Sequence, residues 1–178
     1  LPPREELVQA SLQSNLGHPV SRLYIERHFS DETRAKATDM VERIHRTFQN
    51  RMQNSDWLAP ETKKAALEKL EKLSYKIGYP EEWIDYSAVD IRPNDLIGNI
   101  MRLTAFDAAR SYAKLGKPVV NEAFSDSRTT LPVIINAGYN MQTNGFEVPA
   151  AMLQPAAFEI DKDAATYFCR LGAVLGHE

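Results

Sequence analysis

The sequence is poor in several things that would have narrowed its role at once. It holds one cysteine, Cys169, so no disulfide can close within the chain and the redox compartment cannot be read. It has no apolar run of membrane-spanning length, and its first residues, LPPREELVQA, are too charged and too short of apolar residues for a signal peptide. Basic charge is not in excess: 21 Lys and Arg stand against 24 Asp and Glu, a net charge of −3. Nucleic acid is therefore not an expected partner, nor is membrane contact expected from this segment. There is no internal repeat, no low-complexity tract and no initiator methionine. With the abrupt end at Glu178, the missing Met leads to the expectation that both termini are cuts, so absent targeting signals leave the compartment of the parent protein open.

What is present is an ordinary globular share of apolar residues, 43% of 178, enough for one domain or two small ones. The first half reads as helix after helix. Residues 4–16 form the first, with Gly17 and Pro19 as its stop signal, and VSRLYIERHF (20–29) follows as a short segment. Ser30 caps a long helix from Asp31 to about Asn54, with Asp31 and Glu32 at its positive end. Its buried stripe is Ala37, Val41, Ile44 and Phe48, widened by Met40 and Met52. Pro60 opens another helix that runs to about Leu73, with Ala66, Leu70 and Leu73 inward. KIGYP (76–80) reads as a short extended piece.

Beyond Pro93, Asn94 is positioned to cap a helix through LIGNIMRLTAFDAARSYAKL, which Gly116 ends. Residues 117–132 are polar and irregular. VIINAGY and GFEV have strand composition, with NMQT between them. A last helix, from about Ala164 to the end, points Leu171, Val174 and Leu175 at a core and carries His177 and Glu178 on its final turn. The expected fold class is mainly α with a small β element.

The last turn raises a question of chemistry. A helix that binds catalytic zinc presents His at i and i+4, with a Glu beside the first His as general base. His177 and Glu178 fill the first two places of that pattern, and position 181 does not exist. A His–Glu pair arises by chance in roughly one chain in four of this length, so the dipeptide alone fits an ordinary surface histidine as well. His18, His28 and His45 have no ligand spacing to one another, and Cys169 reads as a small buried hydrophobe.

The upstream stretches change that balance. DWLAPETKKAALEKLEKLSYKIGYPEEWIDYSAVDI (56–91) resembles a passage of the neprilysin-like zinc metalloendopeptidases. VSRLYIERHF resembles the piece that precedes it in bacterial members, and INAGYN (135–140) the family's Asn-Ala-aromatic-Tyr strand. FEVPAAMLQPAAF (146–158) is similar to its Phe-Pro-Ala-X-Leu-Gln-Pro signature, and GAVLGHE (172–178) to the start of its zinc helix. The likeness runs in order over essentially the whole chain.

This resemblance implies part of a two-lobed, zincin-like metallopeptidase with peptide bound between the lobes. Residues 1–92 would belong to the distal lobe and 93–178 to the catalytic lobe. It implies zinc as cofactor, with His177 the first ligand and the others beyond residue 178, and Glu178 as general base. Asn136 and Ala137 would lie on an edge strand that pairs with the substrate backbone. Met152, Ala157, Ala173 and Val174 would line the pocket for the residue after the scissile bond. The partners implied are a peptide substrate and the remainder of the parent chain, and an extracytoplasmic setting is favoured over the cytoplasm.

There are departures from the family pattern. Ala157 stands for a large aromatic, and Cys169 and Arg170 stand where glycines usually allow close packing. They keep a second class in play: a non-catalytic helical peptide-binding module, or an inactive relative.

Overall fold

A computed structural model describes residues 2–120, 122–125, 129–155, 157–159 and 162–178. Its long element is α3, Asp31–Gln53, which starts where Ser30 accepts the Thr33 N–H at 3.1 Å. That bond satisfies one of the N–H groups that a helix start leaves without a partner. Ala37, Met40 and Val41 are buried on one face of α3, so the expected stripe is real over its middle. It does not persist to the end: Phe48 is 49% exposed, since it borders an open cleft that Leu73, Phe146 and Glu178 also line.

Two helices precede α3: α1, Arg4–Asn15, and α2, Gly17–His28. The stop expected at Gly17 and Pro19 is only a corner, and the segment after it is fully helical. Pro19 falls in the first turn of α2, where its missing N–H has no intrahelical partner to lose. After α3 comes α4, Pro60–Glu71, with Leu70 buried and with His45 Nε2 of α3 3.1 Å from the Leu70 carbonyl oxygen.

The strands are β1, Ser74–Gly78, β2, Gly138–Asn140, and β3, Gly145–Pro149, in the order β1-β3-β2. β3 pairs parallel with β1, Ser74 opposite Gly145, and antiparallel with β2, Gly138 opposite Glu147. The centre strand is buried at four of its five positions, as a strand covered on both faces must be. VIIN was expected to be strand but forms turns instead. The Ile134 N–H donates to the Leu131 carbonyl and the Asn136 N–H to that of Ile134, so neither is left for a ladder.

Between the strands lies α5, Leu96–Tyr112, capped by Asp95, whose Oδ1 accepts the Gly98 N–H at 3.1 Å. Asn94, expected in that role, sits one residue early with a left-handed φ of 60°. The chain finishes in α6, Ala164–Arg170, and α7, Gly172–His177. These are one helical path with a hitch at Leu171, whose backbone stays helical and whose N–H reaches the Tyr167 carbonyl at 2.9 Å. The architecture is mainly α with a small three-stranded mixed sheet. Ile77, Phe146 and Val148 from the sheet, Met40 and Val41 from α3, and Leu171 and Leu175 from the final helices share one core.

Gly78 and Gly116 separate two costs of a side chain. Both have positive φ, 85° and 73°, but a Cβ on Gly78 would lie 2.7 Å from Phe29 Cε1, whereas one on Gly116 meets nothing within 4 Å. Gly116→Ala is expected to cost roughly 1–2 kcal/mol from backbone strain alone. Gly78→Ala should cost about 2–4 kcal/mol, since overpacking adds to the strain. Urea denaturation of the two variants measures the difference, and equal midpoint losses would mean that Phe29 yields freely.

Candidate active site

The last turn of the chain is positioned by the apolar packing of the helix that carries it and by the helical bond from the Glu178 N–H to the Val174 carbonyl at 3.2 Å. Leu171 is fully buried and Leu175 nearly so, both in the cluster that includes Met40 and Val41. Met40 Cε approaches to 3.3 Å of where a Cβ on Gly172 would stand. α7 is therefore seated on α3, and residues three and seven positions past Leu171 fall on the same side. Val174 and Glu178 are at those positions, and both are half-buried. His177 lies beside them and is exposed.

His177 and Glu178 line one cleft of about 370 Å³ between α3, α4, β3 and α7. Ile44, Phe48, Leu73 and Phe146 give it apolar walls. His45, Thr47 and Arg51, all from α3, are its other polar contributors. Sequence reading did not single out Thr47 and Arg51. The available signal was the continuation of the α3 stripe to Phe48, a face with no local partner.

The other expected site residues stand elsewhere. Asn136 is exposed and Ala137 buried, and both lead into β2 without pairing in it. β2 is an edge of the sheet, so one side of its backbone has no strand partner. Met152, in a short 3-10 turn at Ala150–Leu153, and Val174 pack against the same core cluster. Ala157 is half-buried and Ala173 exposed. None of these six residues lines the cleft that holds His177 and Glu178. Two supports fix their surroundings: the Ala151 N–H donates to the Pro132 carbonyl at 2.9 Å, and Gln154 Nε2 to that of His28 at 3.1 Å.

The departures in the stretch before α7 are accommodated at the surface. Cys169 is exposed, contrary to the expected buried hydrophobe, because it turns away from the face that carries Leu171 and Leu175. Arg170 points outward and pairs with Glu159 at 3.0 Å. α6 itself starts on Asp163, whose Oδ1 accepts the Thr166 N–H at 3.1 Å. Hydrogen bonds from the Thr166 hydroxyl and backbone hold the Asp163 carboxyl below the usual carboxylate range.

As a metal site the arrangement is partial. Among the described residues no three His, Cys, Asp or Glu side chains gather as a metal-holding group. One exposed imidazole with a neighbouring carboxylate fits a single ligand and its proton acceptor, not a complete donor set.

Comparison with known proteins decides what this arrangement belongs to. Residues 1–80 match the model of the family described as Peptidase family M13. Neprilysin-2 of Drosophila melanogaster is 32% identical over 171 residues, 92% of this chain and 22% of that protein. A putative zinc metalloproteinase from the scaA 5' region of Streptococcus gordonii is 31% identical, over 93% of this chain and 29% of its own length. The open state of the Mycobacterium tuberculosis zinc metalloprotease ZMP1, solved by cryo-electron microscopy, superimposes with a TM-score of 0.88 at 34% identity. That match covers 100% of this chain and 27% of the other.

The chain belongs to peptidase family M13, the neprilysin-like zinc metalloproteases. It spans less than a third of the length of each M13 relative named above.

Because α7 is held by Leu175 and not by its polar residues, stability and chemistry should separate. Leu175→Ala is expected to cost about 2–4 kcal/mol. His177→Ala should stay within about 0.5 kcal/mol of the parent chain. Thermal or urea unfolding of both variants checks this, and a large loss for His177→Ala would mean that the imidazole is a packing group.

Proposed function

We propose that this M13 chain forms part of the catalytic apparatus of a zinc-dependent endopeptidase acting on small peptides. His177 contributes one zinc ligand and Glu178 the general base. The remaining ligands come from parts of the longer M13 chains that these 178 residues do not cover. Zinc, when bound, lowers the pKa of water toward neutrality and polarises the carbonyl to be attacked. Glu178, half-buried in the cleft, accepts the proton from the attacking water.

The single observation behind this reading is that the His–Glu pair shares one cleft on the last turn of a helix seated on α3 by Leu171 and Leu175, in a chain that superimposes on an M13 fold.

Asn136 and Ala137 are proposed to hold the peptide backbone where the chain enters the edge strand β2, since an extended peptide can add to such an edge through main-chain hydrogen bonds. The Asn136 side chain both donates and accepts, which suits a peptide unit. Met152, Ala157, Ala173 and Val174 remain the proposed pocket for the residue after the scissile bond. The proposed division is into distal-lobe (1–92) and catalytic-lobe (93–178) portions, which share one core through α3, β1, β3 and α7. Among the described residues no helix is long and apolar enough to cross a membrane. An extracytoplasmic setting belongs to this proposal through the family resemblance alone.

The test has two arms. The 178-residue chain alone should bind zinc weakly and show no chelator-sensitive peptide hydrolysis. In a longer M13 chain that carries this segment, Glu178→Gln should lower kcat by about 10²–10⁴-fold while zinc content holds, and His177→Ala should lose the metal. Hydrolysis by the 178 residues alone would refute the shared ligand set. An unimpaired Glu178→Gln enzyme would refute the role of Glu178 and favour the non-catalytic peptide-binding module.

A further inference from the structure

Three segments far apart in sequence meet at one imidazole. His18, in the first turn of α2, is only 5% exposed. Its Nδ1 accepts the Ile84 N–H at 3.2 Å, so the ring proton sits on Nε2, which donates to the Phe124 carbonyl at 3.1 Å. Hydrogen-bond partners thus assign the tautomer. Only the neutral ring can make both bonds, because a proton added at Nδ1 would set a donor against the Ile84 donor. Trp83 packs edge-on to the same ring, with centroids 5.6 Å apart.

The Phe124 end of this link is tightly held. Its side chain is fully buried, its φ is 58°, and its N–H donates to Glu147 Oε2 of β3 at 2.9 Å. Glu147 lies opposite Gly138, the first residue of the edge strand β2. The imidazole therefore ties the loop around Ile84 to the segment 122–125, and through that segment to the sheet.

The charges that face His18 are mixed. Asp107 and Arg110 approach from α5 and Glu122 from the clasped segment, where Arg110 and Lys114 each reach Glu122 Oε2 at 2.7 Å. Tyr86 and Asp85 stand on the loop that carries Ile84, with Glu81, Glu82 and Lys76 around the adjoining crevice. Burial holds the His18 pKa below the ordinary imidazole value. The Phe124 bond, Glu122 and Asp107 oppose that shift, and Arg110 adds to it.

We propose that His18 is an acid-sensitive clasp, which when neutral binds the Ile84 loop to the 122–125 segment and when protonated releases the Ile84 loop while keeping its bond to the Phe124 carbonyl. The sign follows from linkage. An opened form binds a proton near the ordinary imidazole value of about 6.5, and the clasped form resists it. The clasp is therefore fully stable above that value and loses ground as the pH falls below it. It stands apart from the peptidase reading. Only a consequence for peptide binding at the β2 edge rests on that reading.

The experiment uses the 178-residue chain with Trp57→Phe. This leaves Trp83 as the sole tryptophan reporter, since the chain has only 2. Between about pH 7.5 and about pH 5, Trp83 emission should shift to the red as the loop opens. Hydrogen exchange at 84–86, corrected for its intrinsic pH dependence, should rise roughly tenfold for each unit of pKa difference. Amides in β1 and β3 should not respond. His18→Gln should abolish both acid responses. If that variant does not fold, nuclear magnetic resonance of the unsubstituted chain decides, with His18 expected to titrate below the ordinary imidazole value of about 6.5. Titration of His18 at or above the ordinary imidazole value, acid responses that persist in His18→Gln, or a His18 titration that leaves exchange at 84–86 unchanged would each overturn the clasp.

Discussion

The seam between α3 and α7 governs where the candidate chemistry can stand. α6 and α7 together make one helical path over 164–177, a length at which an isolated helix is marginal in water. It persists because Leu171 and Leu175 enter a core already furnished by Met40, Val41, Phe146 and Val148. Emptying one such position costs about 2–5 kcal/mol, a large part of the 5–15 kcal/mol by which a domain is usually stable. No hydrogen bond or ion pair among the described residues does comparable work at this end of the chain, where Arg170–Glu159 is a surface contact. His177 and Glu178 thus take their position from hydrophobic packing several residues earlier.

The sheet enters the same account. β3 is central and carries Phe146 and Val148 toward the helices, while Glu147 between them faces the other way and accepts the Phe124 N–H. Alternation along one five-residue strand therefore joins two regions with different chemistry. One is the apolar seam under the final helix, and the other is the buried polar link through Phe124 to His18. β2 adds only 3 residues to the ladder and keeps a free side, and Asn144 reinforces its hairpin by donating to the Lys69 carbonyl at 2.9 Å. An edge this short is held as much by its turn as by its pairing.

What could be read in the sequence was mostly local. Ser30, Pro60 and the spacing of Ala37 and Val41 act within a turn or two of themselves, and the corresponding helices formed where expected. The errors share a different cause. Pro19 was read as a stop, yet a proline in a first turn gives up no hydrogen bond, and whether a new helix begins there depends on what packs on it. Phe48 kept the periodicity of α3 where that face borders an open cleft. VIIN had strand composition, but its amides were already committed to turns. At the site, the His–Glu pair was visible because it is contiguous. Thr47 and Arg51, which share its cleft, lie some 130 residues earlier and carried no mark. His18 looked unremarkable in a Gly-His-Pro stretch, since its partners at Ile84 and Phe124 are supplied only by the fold.

Under the peptidase reading, this division between packing and chemistry has a functional consequence. A ligand ordered only by its metal must spend binding free energy on its own ordering. Here the backbone under His177 is fixed by Leu171 and Leu175, neither of which can touch the metal. If His177 and Glu178 have the roles proposed for them, the backbone that carries them would be in place before zinc arrives. The solved ZMP1 backbone follows this chain over its whole length although most of that protein lies outside the match, so the same course of the final helix occurs in a much longer chain.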